Sequence, residues 1–134
     1  MAARIDKTES AIGVFRAELA ADVSPALYGQ VCHVSLNSSG KAVLNAAGNS
    51  GVKGLHIPDR TTRKAGSIID VLTNGEIVGF QIWNGTANVD AVAGSNYYTV
   101  PATGVMTTVS TSNTYVGHTV EKDRLVVRMG GGLP

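Results

Sequence analysis

Apolar side chains recur with a period of two along most of this chain, and with a period of three to four only near its start. Ile12, Phe15, Leu19 and Val23 are spaced like the buried stripe of a short amphipathic helix that Pro25 would close. Gly13 weakens helical propensity, and an extended arm fits the same residues equally well. Residues 1–25 are therefore expected to form either an N-terminal arm or a short helix.

After Gly29 the pattern becomes that of strands. Gln30, Cys32, Val34 and Leu36 share one face, Val31, His33 and Ser35 take the other, and the first face is the more apolar. The polar run Asn37-Ser38-Ser39-Gly40 then leads into Lys41-Ala42-Val43-Leu44, which predicts an antiparallel hairpin. The same grammar predicts a second hairpin, with Ile68 to Leu72 outward, Thr73-Asn74-Gly75 as the turn, and Glu76 to Trp83 returning. Asn-Gly is the strongest short turn signal in the chain. A third hairpin runs from Tyr97 to Val100, turns at Pro101-Ala102-Thr103-Gly104, and returns through Val105 to Val109. Leu125, Val127 and Met129 alternate with Arg124, Val126 and Arg128 in a closing strand. Gly130-Gly131-Gly132 begins a tail, residues 130–134, that is expected to be flexible.

A weak internal repeat accompanies these units, since Ala65-Gly66-Ser67 returns as Ala93-Gly94-Ser95 and Gly75 is followed in the later copy by Gly104. Repeated hairpins with no convincing central helix predict one all-β domain over residues 26–129. The expected fold is a small β-barrel or a β-tulip-like sandwich.

Composition sharpens this picture. The chain has 134 residues, enough for a single core. Charged residues make up only 16%, against about 25% in a typical globular chain, and Gly, Ser, Thr and Asn take their place. A formal net charge of +1 offers no bulk attraction to nucleic acid or to an anionic membrane. Cys32 is the sole cysteine and cannot form an internal disulfide, and Met1 to Ser10 is too polar for a secretion signal. Assembly in a reducing cytoplasm is the expectation. No apolar run approaches the roughly 18 to 20 residues of a membrane span.

Candidate chemistry is sparse. Gly48-Asn49-Ser50-Gly51 is superficially similar to the nucleophile loop of a chymotrypsin-like protease, but such a triad needs a larger double barrel to deliver its partners, and His33 is only a short hairpin away. His33, His56 and His118 with Cys32 lack the close spacing of zinc ligands. Asp59, Asp70, Asp90 and Asp123 are scattered and suit turns and solubility. No catalytic, cofactor-binding or metal-ligating residue is expected, and the chain does not read as an enzyme. Contacts with other molecules are expected instead from Arg60 and Arg63 with Lys64, the densest basic cluster. Trp83, Tyr97 and Tyr98 form a candidate aromatic patch, and Ile12, Val14 and Phe15 a candidate docking segment.

With these elements in place, three stretches resemble phage head decoration proteins, including the lambda type. They are Val34-Ser35-Leu36-Asn37-Ser38-Ser39-Gly40-Lys41-Ala42-Val43, Ala47-Gly48-Asn49-Ser50-Gly51-Val52-Lys53-Gly54-Leu55, and Leu72-Thr73-Asn74-Gly75-Glu76-Ile77. Ala93-Gly94-Ser95 through Val116-Gly117 and on to Val126-Val127 is similar to β-domains of phage capsid-associated proteins, so the likeness spans about residues 26–129. It implies a β-rich virion protein that trimerises at three-fold or quasi-three-fold positions on the outer capsid surface. There it would clamp neighbouring copies of the major capsid protein and stabilise the head. The lambda-type proteins open with a Pro-, Ala- and Gly-rich arm, whereas Met1 to Ala21 here is more charged. Two rival readings stand beside it. One is an oligonucleotide-binding barrel that stacks bases on Trp83, Tyr97 and Tyr98, which near-neutral charge disfavours; the other is a different phage structural β-domain, of the tail or adhesion type. A small hydrolase using Ser50 or Asp70 ranks far below both.

Overall fold

Strand formation follows the period-two pattern wherever a polar turn reverses it. The computed structural model describes residues 13–49, 51–61 and 63–129. Its strands are β1 (Gly13–Glu18), β2 (Cys32–Leu36), β3 (Ala42–Leu44), β4 (Val52–His56), β5 (Ile68–Val78), β6 (Ile82–Trp83), β7 (Asn88–Val89), β8 (Asn96–Thr99), β9 (Met106–Thr107), β10 (Thr114–Thr119) and β11 (Arg124–Arg128). Pro25–Leu27 forms a single 3-10 turn, started by Ser24, whose hydroxyl accepts from the Ala26 amide.

Nine strands form one curled antiparallel sheet, a half-barrel, in the order β3-β2-β4-β5-β11-β10-β8-β9, with β1 also paired to β5. β6 and β7 form a separate two-stranded ribbon. The first predicted hairpin is β2–β3, in register Val34↔Leu44 and Leu36↔Ala42. Its turn is held by Asn37, whose Oδ1 accepts from the amides of Ser39 and Lys41. The third is β8–β9, closed by the Gly104 amide donating to the Val100 carbonyl. The Ala-Gly-Ser repeat is structural too: Gly66 and Gly94 each take positive φ in the turn that leads into β5 or β8.

Two expectations are corrected. Asn74-Gly75 does not turn the chain: both residues lie inside β5, an 11-residue strand. Long-range pairing wins over the local signal, because β1 aligns along Ile68 to Asn74 and β11 along Asn74 to Val78. Gly75 has another task. Ile69 and Val71 pack in one apolar cluster while Leu72 and Ile77 pack in the other, so the strand changes face across Thr73-Asn74-Gly75. Gly75 supports this at φ 149, a conformation in which a side chain is strained. The chain bends at Gly79, where β5 ends, and Trp83 lies in the β6–β7 ribbon beside a turn in which Asn84 Oδ1 accepts from Thr86 and Ala87.

The second correction concerns the two alternatives for residues 1–25: among the described residues, from Gly13 on, the extended one holds and the helical one does not. Gly13 to Glu18 is a strand, with Phe15↔Val71 and Ala17↔Ile69 in register. Phe15, Ala17 and Leu19 all belong to one apolar cluster, a period of two, and Val23 joins it only after the chain has left the strand. The helical spacing was coincidental, and pairing with an Ile- and Val-rich neighbour decided the outcome.

Apolar burial divides into two clusters. One holds Val31, Leu55, Ile77, Phe80, Tyr97, Val116, Leu125 and Val127 among others; the second holds Ala17, Leu19, Val23, Val34, Ala42, Ile69 and Val71. β2 lies between them and is buried on both faces, so His33 and Ser35 are as enclosed as Val34. A polar seam develops there between distant parts of the sheet. His33 Nδ1 lies 2.8 Å from Thr99 Oγ1 on β8, and its Nε2 donates to the Ala46 carbonyl at 3.1 Å. Asn45, in the left-handed region at φ 51, accepts the His33 amide on Oδ1 and donates through Nδ2 to Gln30 Oε1 and Cys32 Sγ. Cys32 is fully buried, and desolvation pushes its thiol up to about 12.

Gly104 faces Asn45 across this seam, and a Cβ at Gly104 would overlap the Asn45 side chain. Its φ of 78 adds strain for any other residue. Gly104→Ala is expected to lower the free energy of unfolding by about 2 to 4 kcal/mol in urea titration. Alanine at Gly40, which has open space and a similar φ, should cost only the backbone component, about 1 to 2 kcal/mol.

Candidate interaction surface

Register brings apolar side chains together on an open face of β1, β5 and β4. Val14 is aligned with Leu72, and Leu72 with Leu55, so the three form one row across the three strands. Leu55 and Ile77 are buried and make a floor, while Val14 and Ile57 stand at 51% and 40% exposure and make walls. The hollow between them measures about 200 Å³ and is also lined by His56 and Asp70. A second hollow of about 330 Å³, lined by Arg16, His56, Asp59, Ile68, Ile69 and Asp70, shares His56 and Asp70 with it. Arg16 and Asp70 form an exposed ion pair at 3.2 Å, which screening leaves weak. His56 Nδ1 donates to the Asp70 carbonyl at 2.9 Å, which makes Nε2 the acceptor, and that atom is shielded from water with no partner among the described residues. The arrangement suits an apolar side chain arriving with a hydrogen-bond donor.

The other residues singled out in the sequence are dispersed. Ile12 lies outside the described residues, as does Ser50. Phe15 is on β1 but faces inward, packed against the second cluster rather than presented to a partner. Tyr97 is 2% exposed, within the first cluster, and its hydroxyl accepts from the Val92 amide. Tyr98 meets Tyr115 edge to face at 5.5 Å, so the aromatic pair nearer the surface is Tyr98 with Tyr115, which sequence reasoning missed. Trp83 is half-buried in the β6–β7 ribbon. Arg63 is exposed and donates to the Arg60 carbonyl, while Lys64 pairs with Asp22 at 3.5 Å; Arg63 and Lys64 edge a hollow of about 410 Å³ with Ser24, Pro25 and Tyr28. Donors from Ala65 and Lys64 hold Asp22 below the usual carboxylate range. Sequence reasoning also missed Ile57 and Leu72, because their joint exposure depends on strands that pair over long separations.

His33 has both ring nitrogens engaged, by the Thr99 hydroxyl and the Ala46 carbonyl. Among the described residues, no group of three His, Cys, Asp or Glu is placed to hold a metal ion. No described helix is long and apolar enough to cross a membrane.

This surface belongs to an all-β half-barrel. The same fold occurs in a solved structure from Mycobacterium phage Patience, with a TM-score of 0.74 and 23% identity over 98% of this chain and 97% of that one. No protein-family model matches the chain, and no curated protein matches it.

The contrast between wall and core is testable by denaturation. Val14→Asp and Ile57→Asp should each change unfolding free energy by less than about 0.5 kcal/mol, as exposed positions do. Tyr97→Ala should cost about 3 to 5 kcal/mol through the cavity it leaves.

Proposed function

We propose that this chain is a virion structural protein of a tailed phage, which binds the outer surface of the capsid as an oligomer, a trimer in the simplest case, and stabilises the shell. The observation that carries the reading is the fold shared along nearly the whole chain with a protein of phage origin. Two of the stretches that resemble head decoration proteins coincide with structural units, the β2–β3 hairpin and the loop leading through β4. The open face around Val14, Ile57 and Leu72 supplies an apolar surface for the major capsid protein.

The mechanism on this reading is mechanical. Each subunit contributes a modest apolar contact, a symmetric oligomer multiplies such contacts, and avidity makes release slow. Selective binding to the assembled shell adds stability by mass action, about 2.7 kcal/mol per site when free protein is near a hundredfold above its Kd. An oligonucleotide-binding barrel has less support, since Tyr97 is buried and Tyr98 packs on Tyr115, which leaves Trp83 alone of the three rings proposed for stacking.

Shells purified without this chain provide the test. Adding the purified protein should give saturable binding, ordered density on the outer surface in electron cryomicroscopy, and a higher temperature of shell disruption. Val14→Asp with Ile57→Asp should weaken that binding at least tenfold. Absence of binding, or density confined to the tail, would overturn the proposal.

A further inference from the structure

We propose that His33 is an acid-sensitive latch, whose protonation releases the β8–β9 end of the curled sheet from the β2–β3 end. The sheet order places these two pairs at its opposite extremes, yet the His33 ring on β2 lies 2.8 Å from the Thr99 hydroxyl on β8. Both residues are enclosed, at 1% and 0% exposure. The ring therefore joins parts of the sheet that share no ladder.

Hydrogen-bond directions and burial favour the neutral ring at this join. Nε2 donates to the Ala46 carbonyl, which leaves the Nδ1 lone pair to accept from Thr99. A proton on Nδ1 sets two hydrogens against each other along a short line. Rotation of the Thr99 hydroxyl would relieve the conflict but deprive its hydrogen of that acceptor in a site closed to water. The imidazolium would also carry an unpaired charge into the protein interior.

Among the described residues, the groups facing the ring offer no counter-charge. They are Thr99 on β8, the Pro101 backbone in the β8–β9 turn, Asn45 and Ala46 after β3, and Leu55 as the cross-strand partner on β4, with Cys32 next to His33 along β2. Cys32 is the one titratable group among them, and burial keeps its thiol protonated. Desolvation lowers the His33 pKa below its ordinary 6.5, opposed in part by the backbone groups of Ala46 and Pro101. An opened seam exposes the ring and restores that ordinary value. The open form thus takes up the proton first, and the closed form keeps its full advantage above pH 6.5. That advantage is lost as pH falls through 6.5 toward the lower native pKa.

Hydrogen exchange on the full-length protein tests the latch. From pH 7.5 to pH 5, after correction for intrinsic rates, the amides of Asn45, Val100 and Gly104 should exchange at least tenfold faster relative to those of the β1–β5 ladder. His33→Gln, which retains an acceptor and a donor but does not titrate, should abolish the difference, and His118→Gln should preserve it. In the unmodified protein, nitrogen NMR of the ring should show the neutral Nε2–H tautomer until the seam amides open, which keeps the test valid if His33→Gln fails to fold. Equal acceleration of seam and ladder amides, an acid response that survives in folded His33→Gln, or protonation of His33 without seam opening would overturn the latch.

Discussion

A sheet that curls into a half-barrel brings strands together that share no ladder, and the polar groups in the gap then need partners that backbone pairing does not provide. In this protein those partners converge on His33 and Asn45. Asn45 accepts the His33 amide and His33 accepts the Asn45 amide on its carbonyl, so two residues separated by the β2–β3 turn lock each other before the ring reaches across to β8. Burial of β2 on both faces follows from the same geometry. One face meets the apolar cluster under β1, and the other meets the seam.

Much of the architecture is legible in local sequence. The β2–β3 and β8–β9 hairpins follow from alternation interrupted by Asn37-Ser38-Ser39-Gly40 and Pro101-Ala102-Thr103-Gly104, because there the turn and the pairing it produces are neighbours in the chain. Asn74-Gly75 carries an even stronger turn signal and is misleading. Its partners, Gly13 and Arg128, lie far away on either side in the sequence, and no local window contains them. The same holds for the first strand. Ile12, Phe15, Leu19 and Val23 read as a helical stripe until β5 is placed beside them.

The interaction surface was legible only in part. Val14 could be singled out because it stands in an apolar segment near the start of the chain, but its companions Leu55 and Leu72 come from two other strands, and Ile57 from the residue just past β4, and they meet only through register. Tyr97 and Tyr98 illustrate the complementary difficulty. Adjacent residues on a strand point to opposite faces, and sequence alone does not say which tyrosine enters the core. The structure divides them, with Tyr97 inside the first cluster and Tyr98 against Tyr115.

The sealed state of Cys32 carries a practical corollary. A thiol with no exposed surface and a pKa near 12 is almost wholly protonated at neutral pH and closed to alkylating reagents while the fold persists. A cysteine placed anywhere on the exterior would be the only reactive sulfur in the folded molecule. Fluorophores, spin labels or cross-linkers can therefore be attached at chosen positions with the native thiol left in place and the seam undisturbed.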